Sequence, residues 1–179
     1  MFIAIAWLQA LIVGMIDVRN MMIASLMALG LSSPVLAEGV TRVGSDKSPI
    51  ATAVTVPAGA KTLYVSGQLA AVADPAASAG TKAAYGDTKT QTLSVLKKIE
   101  DILKAHGMTA ADVVNMHVYL LGDPDLGGKM DFAGMMAAYT QFYGTPEQPN
   151  KPSRATIQVA ALAGPGYLVE IEVIAAKMP

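Results

Sequence analysis

The chain has 179 residues, with 13 lysines and arginines against 14 aspartates and glutamates, a net charge of −1 and no cysteine. That balance leaves no basic block to neutralise a run of phosphates, which argues against nucleic acid as a partner. The missing thiols exclude disulfides, thiolate catalysis and cysteine-ligated zinc.

Residues 1–37 carry only two charges, Asp17 and Arg19, so composition divides the chain into an apolar segment at 1–37 and a piece of single-domain size at 38–179. Two apolar stretches, 1–16 and 21–31, flank the polar patch from Asp17 to Asn20. Neither reaches the ~20 residues that span a bilayer. The second stretch reads as a secretory signal, with Arg19 before it, Pro34 stopping its helix and the small residues Val35 and Ala37 ahead of a cleavage point after Ala37. The expectation is a periplasmic or secreted protein, free of the membrane after cleavage, with translation starting at Met15 or Met21. The alternative is an uncleaved anchor in which both stretches insert as one span. It would bury Asp17 and Arg19 at some ~2.5–3.5 kcal/mol each near the bilayer centre.

Within 38–179, residues 53–56 and 62–65 are β-rich runs joined by Pro57-Ala58-Gly59-Ala60, the pattern of a hairpin. Residues 70–86, rich in Ala, Gly, Asp and Pro without period, read as a surface loop. A helix follows, with Asp87 as N-cap, Leu93, Leu96, Ile99, Ile102 and Leu103 at three-to-four spacing, and Gly107 at the C′ position. Its single apolar stripe predicts that it lies on a sheet with its polar side in water. Residues 113–121 suit an interior strand. A second helix over about 129–143 aligns Phe132, Met135, Met136, Tyr139 and Phe142 as core. Two strands close the chain, 155–162 and 167–176, joined by the turn Ala163-Gly164-Pro165-Gly166. The order β-β-α-β-α-β-β predicts an α+β two-layer sandwich, a mixed sheet with both helices on one face.

Strand alternation places Arg154, Thr156 and Gln158 on one side of their strand, and Glu170 and Glu172 together on theirs. If the two strands pair as a hairpin, Arg154 lies near a carboxylate. A guanidinium is a planar fork that fits a carboxylate in two parallel hydrogen bonds, the natural anchor for an acidic metabolite. A neighbouring glutamate could hold a water and accept its proton during attack. The bland alternative is a solvent-facing cross-strand ion pair worth ~0.2–1 kcal/mol. Elsewhere, His106 suits the helix C-terminal dipole, and two isolated histidines do not make a metal site. Ser66 lacks the elbow of a serine hydrolase. Asp123, Asp125 and Asp131 read as capping or solvated loop acids without calcium-loop spacing.

Five blocks in register carry a resemblance: Val65-Ser66-Gly67-Gln68, Thr90-Gln91-Thr92, Asp112-Val113-Val114, Asp131-Phe132-Ala133 through Tyr139, and Pro152-Ser153-Arg154 through Val169-Glu170-Ile171-Glu172. Together they span nearly all of 38–179, and the chain resembles the Rid/YjgF family of imine deaminases. The resemblance implies the YjgF/chorismate mutase-like fold and a homotrimer with clefts between subunits. It implies hydrolysis there of a 2-imino acid or its enamine tautomer to a 2-oxo acid and ammonia, with no metal or organic cofactor. It assigns Arg154 as the clamp on the substrate carboxylate, Glu170 as the holder of the water, and the backbone at Ser66 and Gly67 as pocket wall. At three pocket positions the chain departs from the pattern: Ala53 stands for a tyrosine, Met136 for an asparagine and Thr156 for a cysteine. These departures leave open a related small-carboxylate hydrolase, a non-catalytic metabolite-binding module of the same fold, and a chaperone-like oligomer.

Overall fold

The computed structural model describes residues 39–179. The export segment at 1–37 and its cleavage point after Ala37 lie outside the described residues. Strands β1 (Thr41–Val43), β2 (Ala53–Thr55) and β3 (Lys61–Leu69) are followed by the short helix α1 (Lys82–Tyr85) and the long helix α2 (Thr88–Ala105). Then come β4 (Val113–Leu121), α3 (Phe132–Tyr139), β5 (Ser153–Val159) and β6 (Val169–Lys177).

Helix α2 forms where the three-to-four spacing places it. The Asp87 side chain accepts from the Thr90 amide at 2.8 Å, and Val95, Leu96, Ile99 and Leu103 are each no more than 1% exposed. Full burial of such side chains is worth ~1.5–3 kcal/mol apiece, so packing of this stripe outweighs helix propensity. At the C-terminal end, Lys61 and Lys177 reach the His106 and Gly107 carbonyls at 3.0 and 2.9 Å. Lysines from two strands therefore complement the dipole where the histidine was expected to.

The Thr90 hydrogen bonds hold the Asp87 carboxyl below its usual range. A depressed carboxyl contributes stability that is present above the unfolded value and lost as pH falls through the folded one. Asp87→Ala is expected to cost about 1 kcal/mol in urea melts at neutral pH. The difference from the wild type should vanish on titration into the acid range.

The main sheet has the order β3-β6-β4-β5, with β6 antiparallel to both neighbours and β4 parallel to β5. Both α2 and α3 pack on one face, around a core that includes Val65, Met116, Val118, Met135, Tyr139, Ile171 and Val173. The architecture is the expected α+β two-layer sandwich.

Two pairings differ from the sequence reading. Residues 153–159 and 169–177 do not form a hairpin, because β4 lies between them. The connection from β4 to β5 contains α3 and returns the chain parallel to β4, which only a crossover can do. Strand β6 then fills the central position, where its alternating Val169, Ile171, Val173 and Ala175 are buried. The 53–56 run likewise pairs with β1 instead of β3, in the register Thr41↔Thr55 and Val43↔Ala53. The turn at 57–60 does close, Ala60 N to Pro57 O at 3.4 Å. Of its two central residues only Gly59 has positive φ, at 86°. That is the handedness of a type II turn, which splays the flanking strands instead of pairing them.

Residues 70–86 are not wholly irregular, since they contain α1. Lys82 on α1 reaches Asp123 at 2.7 Å and Asp125 at 2.6 Å. Asp123 is buried, while Asp131 caps α3 through the Gly134 amide at 2.8 Å. Of the three acids read as capping or solvated, Asp123 caps its turn through the Asp125 amide at 3.0 Å and is in addition a buried ion-pair partner.

Candidate functional site

Arg154 is the second residue of β5, an edge strand, and lies opposite Met116 in the parallel register. Its row turns toward the helices. The guanidinium carbon sits 4.2 Å from the Tyr139 ring centroid and 6.0 Å from that of Phe132. Nη2 points at Met136 Sδ at 3.2 Å, and Nη1 at Met135 Sδ at 4.0 Å. No carboxylate lies within ion-pair distance of it among the described residues. Thioether sulfur is a weak acceptor, so stacking on Tyr139 holds the group and its charge stays uncompensated. Burial lowers the Arg154 pKa, opposed by Tyr139, and burial pushes the Tyr139 hydroxyl up to about 12. At neutral pH the pair is a cation over a neutral phenol, whose hydroxyl donates to the Pro49 carbonyl at 3.0 Å.

Glu170 stands on the other face of the sheet, opposite Tyr119 on β4 and Leu69 on β3. The β3–β6 register slips between Val65 and Gln68, a bulge that contains Ser66 and Gly67. The Glu170 carboxylate lies directly over Gly67, so that a β-carbon at 67 would overlap Oε1 and come 2.8 Å from Cδ. Glycine is required here for close approach, not for an unusual φ. The entry to β6 is fixed by Gln91, which is fully buried: its amide donates to the Gly86 and Gly166 carbonyls at 3.0 Å each, and its oxygen accepts from Leu168 N at 2.8 Å.

The structure thus gathers the expected residues into two groups. Arg154 and Met136 meet on the helix side. Gly67 and Glu170 meet on the open face, where Ser66 shares a cleft with His117 and Glu172. The groups are separated by β4, two strand spacings or about 10 Å, and by the thickness of the sheet, so the hairpin contact between Arg154 and Glu170 does not form within one chain. Thr156 shares the helix-facing row of Arg154, and its buried hydroxyl has no hydrogen-bond partner. Ala53 lies in the separate β1–β2 sheet and joins neither group.

Sequence reasoning passed over a third group. On the open face His117 Nδ1 is 2.8 Å from Glu172 Oε1, and the Tyr119 hydroxyl donates to the same oxygen at 3.0 Å. Those two donors, His117 first, hold the Glu172 carboxyl below its usual range. The alternation of His117 and Tyr119 along one strand was visible in the sequence. Their opposition to Glu172 depends on the β4–β6 register, which no local pattern gives. Clefts of about 450, 240 and 290 Å³ border this face. The largest is lined by Ser48, Asn115, His117, Ser153 and Arg154 among others, the smallest by Ser66, His117 and Glu172, and the third by Tyr119, Glu170 and Glu172.

A family model described as endoribonuclease L-PSP matches residues 45–177. A RutC family protein of Pyrococcus horikoshii is 39% identical over 92 residues, 51% of this chain and 64% of that protein's length, so the match leaves about a third of the relative uncovered. The 2-iminobutanoate/2-iminopropanoate deaminase of Rattus norvegicus is 34% identical over 119 residues, 66% of this chain and 75% of that one. Among solved structures, a Rid family protein from Yersinia pestis superposes with a TM-score of 0.57 at 26% identity, over 77% of this chain and 98% of that one. With the family model matched over residues 45–177 and the fold shared with a solved Rid family structure, the chain belongs to the Rid/YjgF family.

Proposed function

We propose that the protein hydrolyses small 2-imino acids, or their enamine tautomers, to 2-oxo acids and ammonia at clefts shared between the subunits of a homotrimer. The observation that carries this reading is the state of Arg154: a half-buried guanidinium with weak sulfur acceptors and no acid of its own. Such a group favours an external carboxylate. Glu170, over Gly67 on the opposite face, has no hydrogen-bond partner of its own among the described residues and is free to orient a water. Because the two groups lie on opposite faces of one chain, an Arg154 from one subunit facing a Glu170 from the next completes the site. A protonated imine is already electrophilic, so fixing it beside an oriented water supplies most of what hydrolysis needs. The activity for which the rat relative is named supports the substrate class. The apolar segment at 1–37 supports export, with the mature chain in the periplasm or secreted, and N-terminal sequencing of the exported protein checks cleavage after Ala37.

The test is ammonia release from an imine generated by an amino acid oxidase. Arg154→Ala is expected to lower the catalysed rate by about 10²-fold or more, since both charge and orientation are lost. Mixing Arg154→Ala with Glu170→Ala subunits and reassembling them should recover activity that neither variant has alone, about a quarter of the wild-type sites in a random cyclic trimer. Absence of any recovery would place the two groups outside a shared cleft.

A second reading is a non-catalytic binder of 2-oxo or amino acids, favoured by Met136, whose sulfur occupies a donor of Arg154. It predicts that a 2-oxo acid raises the melting temperature while ammonia release stays at the uncatalysed rate. The family description names an endoribonuclease, but Glu170 and Glu172 on the open face are poorly suited to a phosphate chain.

A further inference from the structure

The cluster of His117, Glu172 and Tyr119 is left without a role by the reading above. A ring that donates Nδ1–H to a carboxylate keeps its free lone pair on Nε2, and Nε2 has no partner among the described residues. The His117 side chain is 43% exposed and borders a cleft of about 450 Å³ that Asn115 and Ser153 also line. That volume is within the range of small-molecule sites. Glu172 is placed to stabilise an imidazolium, and Tyr119 holds the second hydrogen bond that keeps the carboxylate oriented. This is the arrangement of a carboxylate-supported general acid–base.

We infer that His117 moves a proton at C3 of the acid anchored by Arg154 of the neighbouring subunit, from the same open face as Glu170, interconverting the enamine and imine forms of the substrate. The inference rests on the proposed role of Arg154 as carboxylate anchor. An enamine is not electrophilic at C2, so water can attack only after tautomerisation. In the forward step the imidazolium gives its Nε2 proton to C3. The C2=C3 electron pair forms the new C3–H bond, and the nitrogen lone pair forms C2=N. Neutral imidazole remains and takes up a proton from solvent. In reverse, Nε2 removes a C3 proton from the protonated imine and returns the enamine. Glu172 and Tyr119 act as positioning residues, since neither touches the reacting carbon.

The experiment follows C3 by proton NMR with 2-oxobutanoate and an ammonium salt in D₂O, conditions under which the imine forms reversibly. The wild type is expected to accelerate loss of the C3 proton signal over buffer. His117→Gln, which keeps a donor toward Glu172, should reduce that acceleration by about 10²-fold while ammonia release from preformed imine persists. Glu172→Gln leaves the ring in place and should slow exchange by about tenfold, which gives a second reading if His117→Gln proves unstable in thermal melts. Exchange at the buffer rate in wild type, or equal exchange in wild type and His117→Gln, overturns the inference even if ammonia release is catalysed. Exchange that depends on His117 with no catalysed ammonia release supports it, and overturns the hydrolase reading instead.

Discussion

Gly67→Ala is expected to lower imine hydrolysis by about 10²-fold while leaving the protein folded. The added methyl would occupy the space of the Glu170 carboxylate, overlapping Oε1 and crowding Cδ at 2.8 Å and Cγ at 3.1 Å. Those atoms are the far end of a flexible side chain, so the cheap response is for Glu170 to rotate away, not for the sheet to deform. The backbone at 67 has no positive φ to forbid alanine. On the proposed mechanism, displacement of the carboxylate removes the group that orients the water, and misplacement by about 1 Å is enough for a loss of this size. The checks are ammonia release beside urea-induced unfolding. Wild-type activity in the variant would show that the Glu170 position over Gly67 has no part in catalysis. A large fall in stability would show that the contact is a packing element.

The largest stability effect is expected at Lys82. Lys82→Met should destabilise the protein by about 2–3 kcal/mol, somewhat below the loss for a wholly buried pair because the lysine is partly solvated. The cause is the partner left behind. The Asp123 side chain is only 5% exposed, and it also accepts from the Asp125 amide at 3.0 Å to cap the turn after β4. Without the ammonium it remains a carboxylate out of water with no counter-charge. Asp125, whose side chain is 77% exposed, should matter little, and Asp125→Ala is expected to stay within about 0.5 kcal/mol of wild type. The two aspartates together raise the Lys82 pKa, Asp123 first. A raised lysine contributes stability that is present below its unfolded value and is lost as pH rises through the folded one. The gap between wild type and Lys82→Met should therefore persist across neutral pH and close only in strong alkali. Equal unfolding midpoints for Lys82→Met and Asp125→Ala would show that Asp123 is solvated.

Residues 1–37 and 38–179 separate in the sequence by charge alone, and helix α2 is legible from Asp87 and the stripe that follows it. The Arg154 and Glu170 blocks are legible as motifs. Their geometry was not, because the sequence reading joined neighbouring strands at 163–166. In the structure β6 instead passes between β3 and β4. The same limit hid the pairing of His117 with Glu172, residues 55 positions apart, and the link of Lys82 to Asp123 across 41.

What the sequence settled by itself is whatever depends on neighbours within a turn or two: helix periodicity, caps, strand alternation, and which side chains share a row. Those follow from backbone geometry that repeats every few residues. Tertiary structure alone decided which strands meet and which rows face each other. Many pairings satisfy the same local alternation, and the choice among them rests on burying one common core. That choice put Arg154 under the helices and Glu170 on the open face, and it is the reason a second subunit enters the proposed mechanism.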